Sequence, residues 1–245
     1  MLPKIDVPIY SVKLLSLKDL VKFRPFTVKE EKLLLMASEA EDVTSTVDTI
    51  KQIMNNCVLS DVDMSKLPIY DFEYLFLNIR ARSVGEVVKL QYKCNNDIND
   101  EEGDGTHKCD TLVKIDVNLM EINFRNKEKI DTKIEITDKM GVVMKHPSLD
   151  IYKSFTEDVD SGNLIVKMTA SCIDYIYDAD QIYYAKDYTE EELIDFIESL
   201  QSKDLEKIKD FFESMPRLSK DIDFNCPKCG YKEVMHLEGI ESFFV

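Results

Sequence analysis

Glycine is scarce. The 245 residues contain only seven, and none falls in a G-x-G-x-x-G or G-x-x-x-x-G-K-[ST] arrangement. The backbone cradles that commonly hold dinucleotides and triphosphates are therefore missing, which excludes nucleotide chemistry of those two kinds. Histidine is scarcer still: His107, His146 and His236 lie far apart, and neither H-E-x-x-H nor G-x-S-x-G occurs, so no catalytic residue is assigned and the three read as surface or packing residues. No apolar run approaches the roughly 20 residues that span a bilayer, and the start, Met1-Leu2-Pro3-Lys4-Ile5-Asp6, lacks the apolar core of a secretory signal. The chain is expected to stay in the cytoplasm of the cell that makes it. Positive charge is also in deficit, with 31 Lys plus Arg against 47 Asp plus Glu and a net charge of −16. The summed field repels phosphate backbones and anionic lipid, which disfavours a general nucleic-acid or membrane-surface binder.

What the chain does have is enough apolar material, 44% in 28.4 kDa, to fill the core of one large domain or two small ones. Short alternating stretches from Pro8 to Phe26 predict a strand pair turning near Leu15–Lys18. Thr27 followed by Glu30 is a capping box opening a helix through Leu33, Leu34, Met36, Ala37 and Ala40. A second helix runs from Val43 to Cys57, with Val47, Ile50, Ile53, Met54 and Cys57 on one stripe. Pro68 opens a third, carrying Phe72, Leu75, Phe76 and Ile79. After Gly85 the period changes to two, and Val87–Cys94 should pair with Leu112–Val117 around a solvated loop, Asn95–Lys108. Residues 130–146 read as another strand pair, turning at Asp138–Gly141. From Ser154 onward helices are expected, broken at Asp178–Asp187 and restarted by a Thr189/Glu192 capping box. The last helix, with Leu205, Ile208, Phe212 and Met215, ends at Pro216. Ile222–Val245 forms two short strands. The acidic runs Glu190–Glu192 and Glu157, Asp158, Asp160 read as solvated helix starts.

Six cysteines divide into two classes. Cys57 and Cys172 sit among apolar residues at helical spacing, where a thiol behaves as a small hydrophobe. Cys226-Pro227-Lys228-Cys229-Gly230 is different: two cysteines three apart around a tight turn can present both thiolates to one tetrahedral ion. Two further ligands come from the junctions of the 87–117 hairpin, Cys94 and Cys109, giving the candidate structural zinc site Cys94, Cys109, Cys226 and Cys229. The Cys94–Cys109 spacing is wider than a knuckle, and His107 is the alternative fourth ligand in place of Cys109; four thiolates are preferred. A thioredoxin-like redox pair expects a helix after its first cysteine, where strand patterns stand here, and disulfides require an oxidising compartment. A closed four-thiolate site has no open position for water and so implies stability, not hydrolysis.

The expected architecture is α+β: an N-terminal hairpin and helices (1–86), a central β region with the first half of the metal site (87–146), a helical region (147–216) and a C-terminal knuckle hairpin (217–245), as one integrated unit closed by the C-terminal tail. Arg24, one of five arginines, stands in the Pro-flanked turn Lys22-Phe23-Arg24-Pro25-Phe26. It is either tied to carboxylates of its own fold or presented, with Phe26, to a protein partner. The terminal Phe243-Phe244-Val245 either docks on the knuckle or meets a partner.

Three segments carry a family resemblance. The run Val21-Lys22-Phe23-Arg24-Pro25-Phe26-Thr27-Val28-Lys29-Glu30-Glu31-Lys32-Leu33-Leu34-Leu35-Met36 is the first. Leu67-Pro68-Ile69-Tyr70-Asp71-Phe72-Glu73-Tyr74-Leu75-Phe76-Leu77 with Arg80-Ala81-Arg82-Ser83-Val84-Gly85 is the second. The third joins Phe211-Phe212-Glu213-Ser214-Met215-Pro216, Cys226-Pro227-Lys228-Cys229-Gly230 and Gly239-Ile240-Glu241-Ser242-Phe243-Phe244. Together, and in this order, they resemble the baseplate hub protein family of T-even-type contractile-tailed phages, with the Asn95–Gly105 insert as the expected departure. The resemblance implies a non-enzymatic protein of virion morphogenesis, a hub subunit or a hub-assembly factor, found in the host cell cytoplasm or in the tail baseplate and partnered by other baseplate proteins. It carries over no catalytic residue. The alternative is a zinc-ribbon nucleic-acid or transcription factor, which needs a basic face beside the knuckle; only Lys228 and Lys232 are available there, amid Asp221, Asp223, Glu233 and Glu238.

Overall fold

The computed structural model describes residues 6–39, 43–99, 105–126, 131–151, 161–239 and 242. Helices and antiparallel strands are mixed along the chain, which divides into two units: 1–72 with 126–216, and 73–125 with 217–245.

The first unit opens with β1 (Tyr10–Lys13) and β2 (Leu20–Phe23), paired with Val12 opposite Val21 and Tyr10 opposite Phe23. Alternation puts Val12, Val21 and Phe23 inside, as a half-buried hairpin requires. The connecting turn is held by the buried Asp71 carboxylate, which accepts the Leu15 N–H at 2.8 Å and the Ser16 N–H at 2.7 Å. Helix α1 (Val28–Glu39) starts after Thr27, and α2 (Val43–Cys57) buries Ile53, Met54 and Cys57 at three- and four-residue spacing. Helix α3 (Ile69–Val84) follows Pro68, whose missing N–H suits a helix start. The boundary between the units falls at residues 72 and 73 of this helix.

In the second unit α3 gives Leu77 and Ala81 to a core completed by Leu90, Val117, Leu119 and Ile122. Strand β3 (Val87–Lys93) pairs with β6 (Leu112–Asn118) in seven-residue register. The segment between them, expected as a solvated loop, contains a small hairpin, β4 (Asp97–Asn99) with β5 (Thr106–Lys108), pinned by a Lys108–Asp97 ion pair at 2.9 Å. Strand β7 (Asn123–Arg125) closes this stretch.

The chain then supplies the rest of the first unit. Strands β8 (Lys133–Thr137) and β9 (Met140–Met144) form the expected pair. After α4 (Ser161–Ser171), the sequence reading is corrected: β10 (Ile173–Tyr177) stands where helix was expected, while β11 (Ile182–Tyr184) falls inside the expected break at Asp178–Asp187, and the two complete a sheet of order β11-β10-β9-β8. The physical reason is tertiary, since β10 finds an antiparallel edge on β9. Helix α5 (Glu190–Glu198) carries the full Thr189/Glu192 capping box, and α6 (Ser202–Ser214) ends before Pro216. Ile197, Ile208 and Phe211 join Val142, Met144, Cys172 and Ile173 in this unit's core.

Back in the second unit, β12 (Arg217–Asn225) lies between β13 (Lys232–Glu238) and β7, with both pairings antiparallel. Leu218, Ile222 and Phe224 point inward from β12. The docking of Phe243–Val245 considered above lies outside the described residues.

Candidate metal centre

Cys94 follows the last residue of β3, and Cys109 follows the last of β5; Cys226 follows β12, and Cys229 lies in the turn before β13. The two pairs are built alike. In the second, Cys226 N–H donates to the Tyr231 carbonyl at 2.9 Å and Gly230 N–H returns to the Cys226 carbonyl at 3.0 Å. In the first, Cys94 N–H donates to the Thr111 carbonyl at 2.9 Å and Asp110 N–H returns to the Cys94 carbonyl at 3.0 Å. Gly230 at φ +72° and Asp110 at φ +55° occupy the same left-handed position after the second cysteine of each pair. Glycine is the default residue there, and aspartate is one of the few others that enters it. The first pair is thus the same turn as the second, with β4–β5 inserted between its cysteines. This explains how a 15-residue spacing does the work of a three-residue one.

The turns bring the four sulfurs together. Cys94 Sγ is 3.7 Å from Cys229 Sγ, Cys109 Sγ is 3.7 Å from Cys226 Sγ, and all four lie within 4.8 Å of one another. Disulfide sulfurs stand about 2.05 Å apart. Four sulfurs bound at about 2.3 Å to one tetrahedral ion have edges of about 3.8 Å, so the two 3.7 Å distances suit a cluster that could hold a metal ion. Cys94, Cys226 and Cys109 are 0%, 1% and 3% exposed, and Cys229 is half-buried. His107 is exposed on β5 and stands outside the cluster.

The electrostatics prepare two of the sulfurs to bind as thiolates. The backbone N–H of Cys229, then that of Lys228, stabilises the Cys226 thiolate and holds its pKa at about 6. The Thr111 hydroxyl, 3.3 Å from Cys109 Sγ, lowers that thiol too. Burial pushes Cys94 up to about 12 against the pull of the Asn96 N–H. A divalent ion held by these four residues would remove this last obstacle, because it would take the place of the proton on each sulfur. Cys57 and Cys172 belong to no such group: both are fully buried, and burial raises them to about 11 and about 12.

The turn at Arg24 does internal work. Arg24 donates from two nitrogens to the two Glu30 oxygens at 2.9 and 2.7 Å, and its N–H donates to the Cys57 carbonyl. Glu30 also accepts the Thr27 N–H at 2.7 Å, which is half of the expected capping box, and its pKa falls to about 2 with the Arg24 hydrogen bonds as the largest cause. Phe26 is 8% exposed. Of the other histidines, His146 lies between the Tyr70 and Phe211 rings, and His236 pairs with Asp221 across β12 and β13. The sequence reading missed Asn96, Asp110 and Thr111. Each stands within two residues of a ligand cysteine, and a polar residue beside such a cysteine was the signal that could have found them.

Fold and site together define a mixed α/β protein whose second unit is gathered around four cysteines able to hold a metal ion. No helix among the described residues is long and apolar enough to cross a membrane. A family model described as T4 bacteriophage base plate protein matches residues 7–245, and the chain belongs to that family. No curated protein and no solved structure matches it.

Proposed function

We propose that this chain is a hub component, or a factor that assembles the hub, of a contractile-tail baseplate, and that it acts through protein–protein contacts with one structural zinc ion per chain. The observation that carries the first half is the family match over residues 7–245. On this reading the protein is made inside the infected host cell, is built into the tail baseplate or assists its construction there, and performs no catalysis. The zinc half rests on the four sulfurs. A tetrahedral all-thiolate set suits zinc, fills every coordination position and leaves no place for a reacting water. The ion therefore ties β3 and β6 to β12 and β13 within the second unit.

Two measurements test the proposal. Pull-down from infected cells with the full chain is expected to capture baseplate proteins; capture of none, with turnover of a small substrate, overturns the structural role. Elemental analysis of protein purified without added metal is expected to give one zinc per chain. The Cys229→Ser variant is expected to lose it and to melt at lower temperature, and unchanged metal content and melting would refute the site. Structural zinc contributes on the order of 10–16 kcal/mol in small zinc-finger peptides, and only a part of that applies here because an apolar core shares the load.

A further inference from the structure

Four thiolates and one divalent cation leave a net charge of −2 on a site in which three of the four cysteines are buried and the fourth, Cys229, is half-buried. Such a charge is stable only if donors inside the protein face the sulfurs. One residue stands two positions after the first cysteine of each turn: Asn96 in the first, whose carbonyl accepts the Cys109 N–H at 2.8 Å, and Lys228 in the second. The two positions then part company. The Lys228 side chain is exposed, whereas the Asn96 side-chain Nδ2 donates to Cys229 Sγ, 3.7 Å away in the other turn. Asn96 thus joins both turns through one residue, its carbonyl on the Cys109 backbone and its amide on the Cys229 sulfur. Thr111 serves Cys109 with its hydroxyl, and because a thiolate sulfur can only accept, the hydroxyl must donate once the metal is bound.

We propose that Asn96 is a positioning residue of the metal centre, bracketing the two cysteine turns through its carbonyl, which accepts the Cys109 N–H, and its side-chain amide, which donates to Cys229 Sγ, with Thr111 in the same role for the Cys109 sulfur alone. This rests on the metal reading above. Asn96 does not touch the metal. It fixes the orientation of Cys109 and Cys229 and draws negative charge off the Cys229 sulfur, which slows both metal loss and attack on that sulfur. Loss of outer partners of this kind typically costs 10–100-fold in metal affinity.

The test uses the full chain loaded with cobalt and, separately, with zinc. The variants are Asn96→Ala, Asn96→Asp, which keeps the shape but replaces a donor with an acceptor, Thr111→Val and Thr111→Ser. Cobalt-loaded wild type is expected to show thiolate-to-metal charge-transfer bands and a tetrahedral visible spectrum. In both Asn96 variants those bands should shift, zinc affinity against a chromophoric chelator should fall on the order of 10-fold or more, and alkylation mapped by peptide mass should become faster at Cys229 than in wild type. Thr111→Val should expose Cys109 instead, and Thr111→Ser should restore wild-type behaviour, an outcome that loss of packing alone does not produce. Wild-type bands with unchanged bands, affinity and Cys229 alkylation rate in both Asn96 variants overturn the bracket while leaving the metal site standing. A wild-type chain that binds no cobalt removes the metal reading, and the bracket with it.

Discussion

The Arg24–Glu30 pair carries a pH dependence that belongs to single residues. Glu30 is 6% exposed, faces Arg24, Thr27 and the Cys57 thiol, and has its pKa lowered from 4.5 to about 2. A carboxyl depressed by folding stabilises the native state above its unfolded pKa and loses that contribution as pH falls through the folded value. The shift corresponds to about 3 kcal/mol, present in full near neutral pH and lost between about pH 4.5 and about pH 2. Glu30→Gln is therefore expected to lower stability by about 2–3 kcal/mol at neutral pH, with the gap to wild type closing as pH falls. Urea titrations at a series of pH values check this; a gap that stays constant with pH means that the pair contributes nothing electrostatic. Arg24→Ala should destabilise similarly, because it leaves the buried carboxylate without its cation.

At the scale of elements, the two cysteine turns make the sharpest expectation. Asn96 and Cys109 are joined by a Cys109 N–H to Asn96 carbonyl bond of 2.8 Å, so the ends from which β4–β5 departs already lie together. Deleting Asp97–Lys108 leaves Cys94-Asn95-Asn96-Cys109, the spacing of the second turn, and keeps Asn96 two residues after the first cysteine. The deleted chain is expected to bind one metal as wild type does, measured by metal content and cobalt spectrum. Loss of binding would show that the hairpin shapes the site. The same turns explain what could be read in advance. The second was legible from Cys226-Pro227-Lys228-Cys229-Gly230, because glycine and a three-residue spacing announce the turn. The first was legible only as two cysteines at strand ends, because Asp110 disguises the left-handed position and a hairpin separates the ligands. Helix α2 was readable to its last residue, since its apolar stripe stops at Cys57. Strand β10 was not. Val166, Ala170, Ile173 and Tyr177 continue a helical spacing without any glycine or proline to mark the change, and only pairing with β9 decides it.

For the whole molecule, charge sets the expectations. Residues 174–198 hold nine acidic side chains, Asp174, Asp178, Asp180, Asp187, Glu190, Glu191, Glu192, Asp195 and Glu198, against Lys186 alone. This one stretch gives 1 − 9 = −8, half of the chain's −16. Binding to duplex DNA at physiological salt is expected to be absent, because binding driven by counterion release needs clustered cations. A gel shift at micromolar protein would overturn this and favour a zinc-ribbon regulator. Association with a basic baseplate partner should slow steeply with added salt, as the screening length falls from about 10 Å at 0.1 M to about 3 Å at 1 M. Stopped-flow rates that ignore salt would assign recognition to apolar contacts alone.

The sequence distance between the two cysteine turns also has a meaning in time. Cys109 and Cys226 are 117 residues apart, and Cys94 and Cys229 are 135 apart. At a synthesis rate of about 5–20 residues per second, the first two thiols leave the ribosome on the order of 10 s before their partners exist. During that interval they form half a ligand set, unable to close on an ion. A message broken, or a ribosome stalled, anywhere before Cys226 yields a chain that never gains the other half. On the zinc reading proposed above, metal uptake would thus be a late event of biosynthesis that separates finished chains from truncated ones.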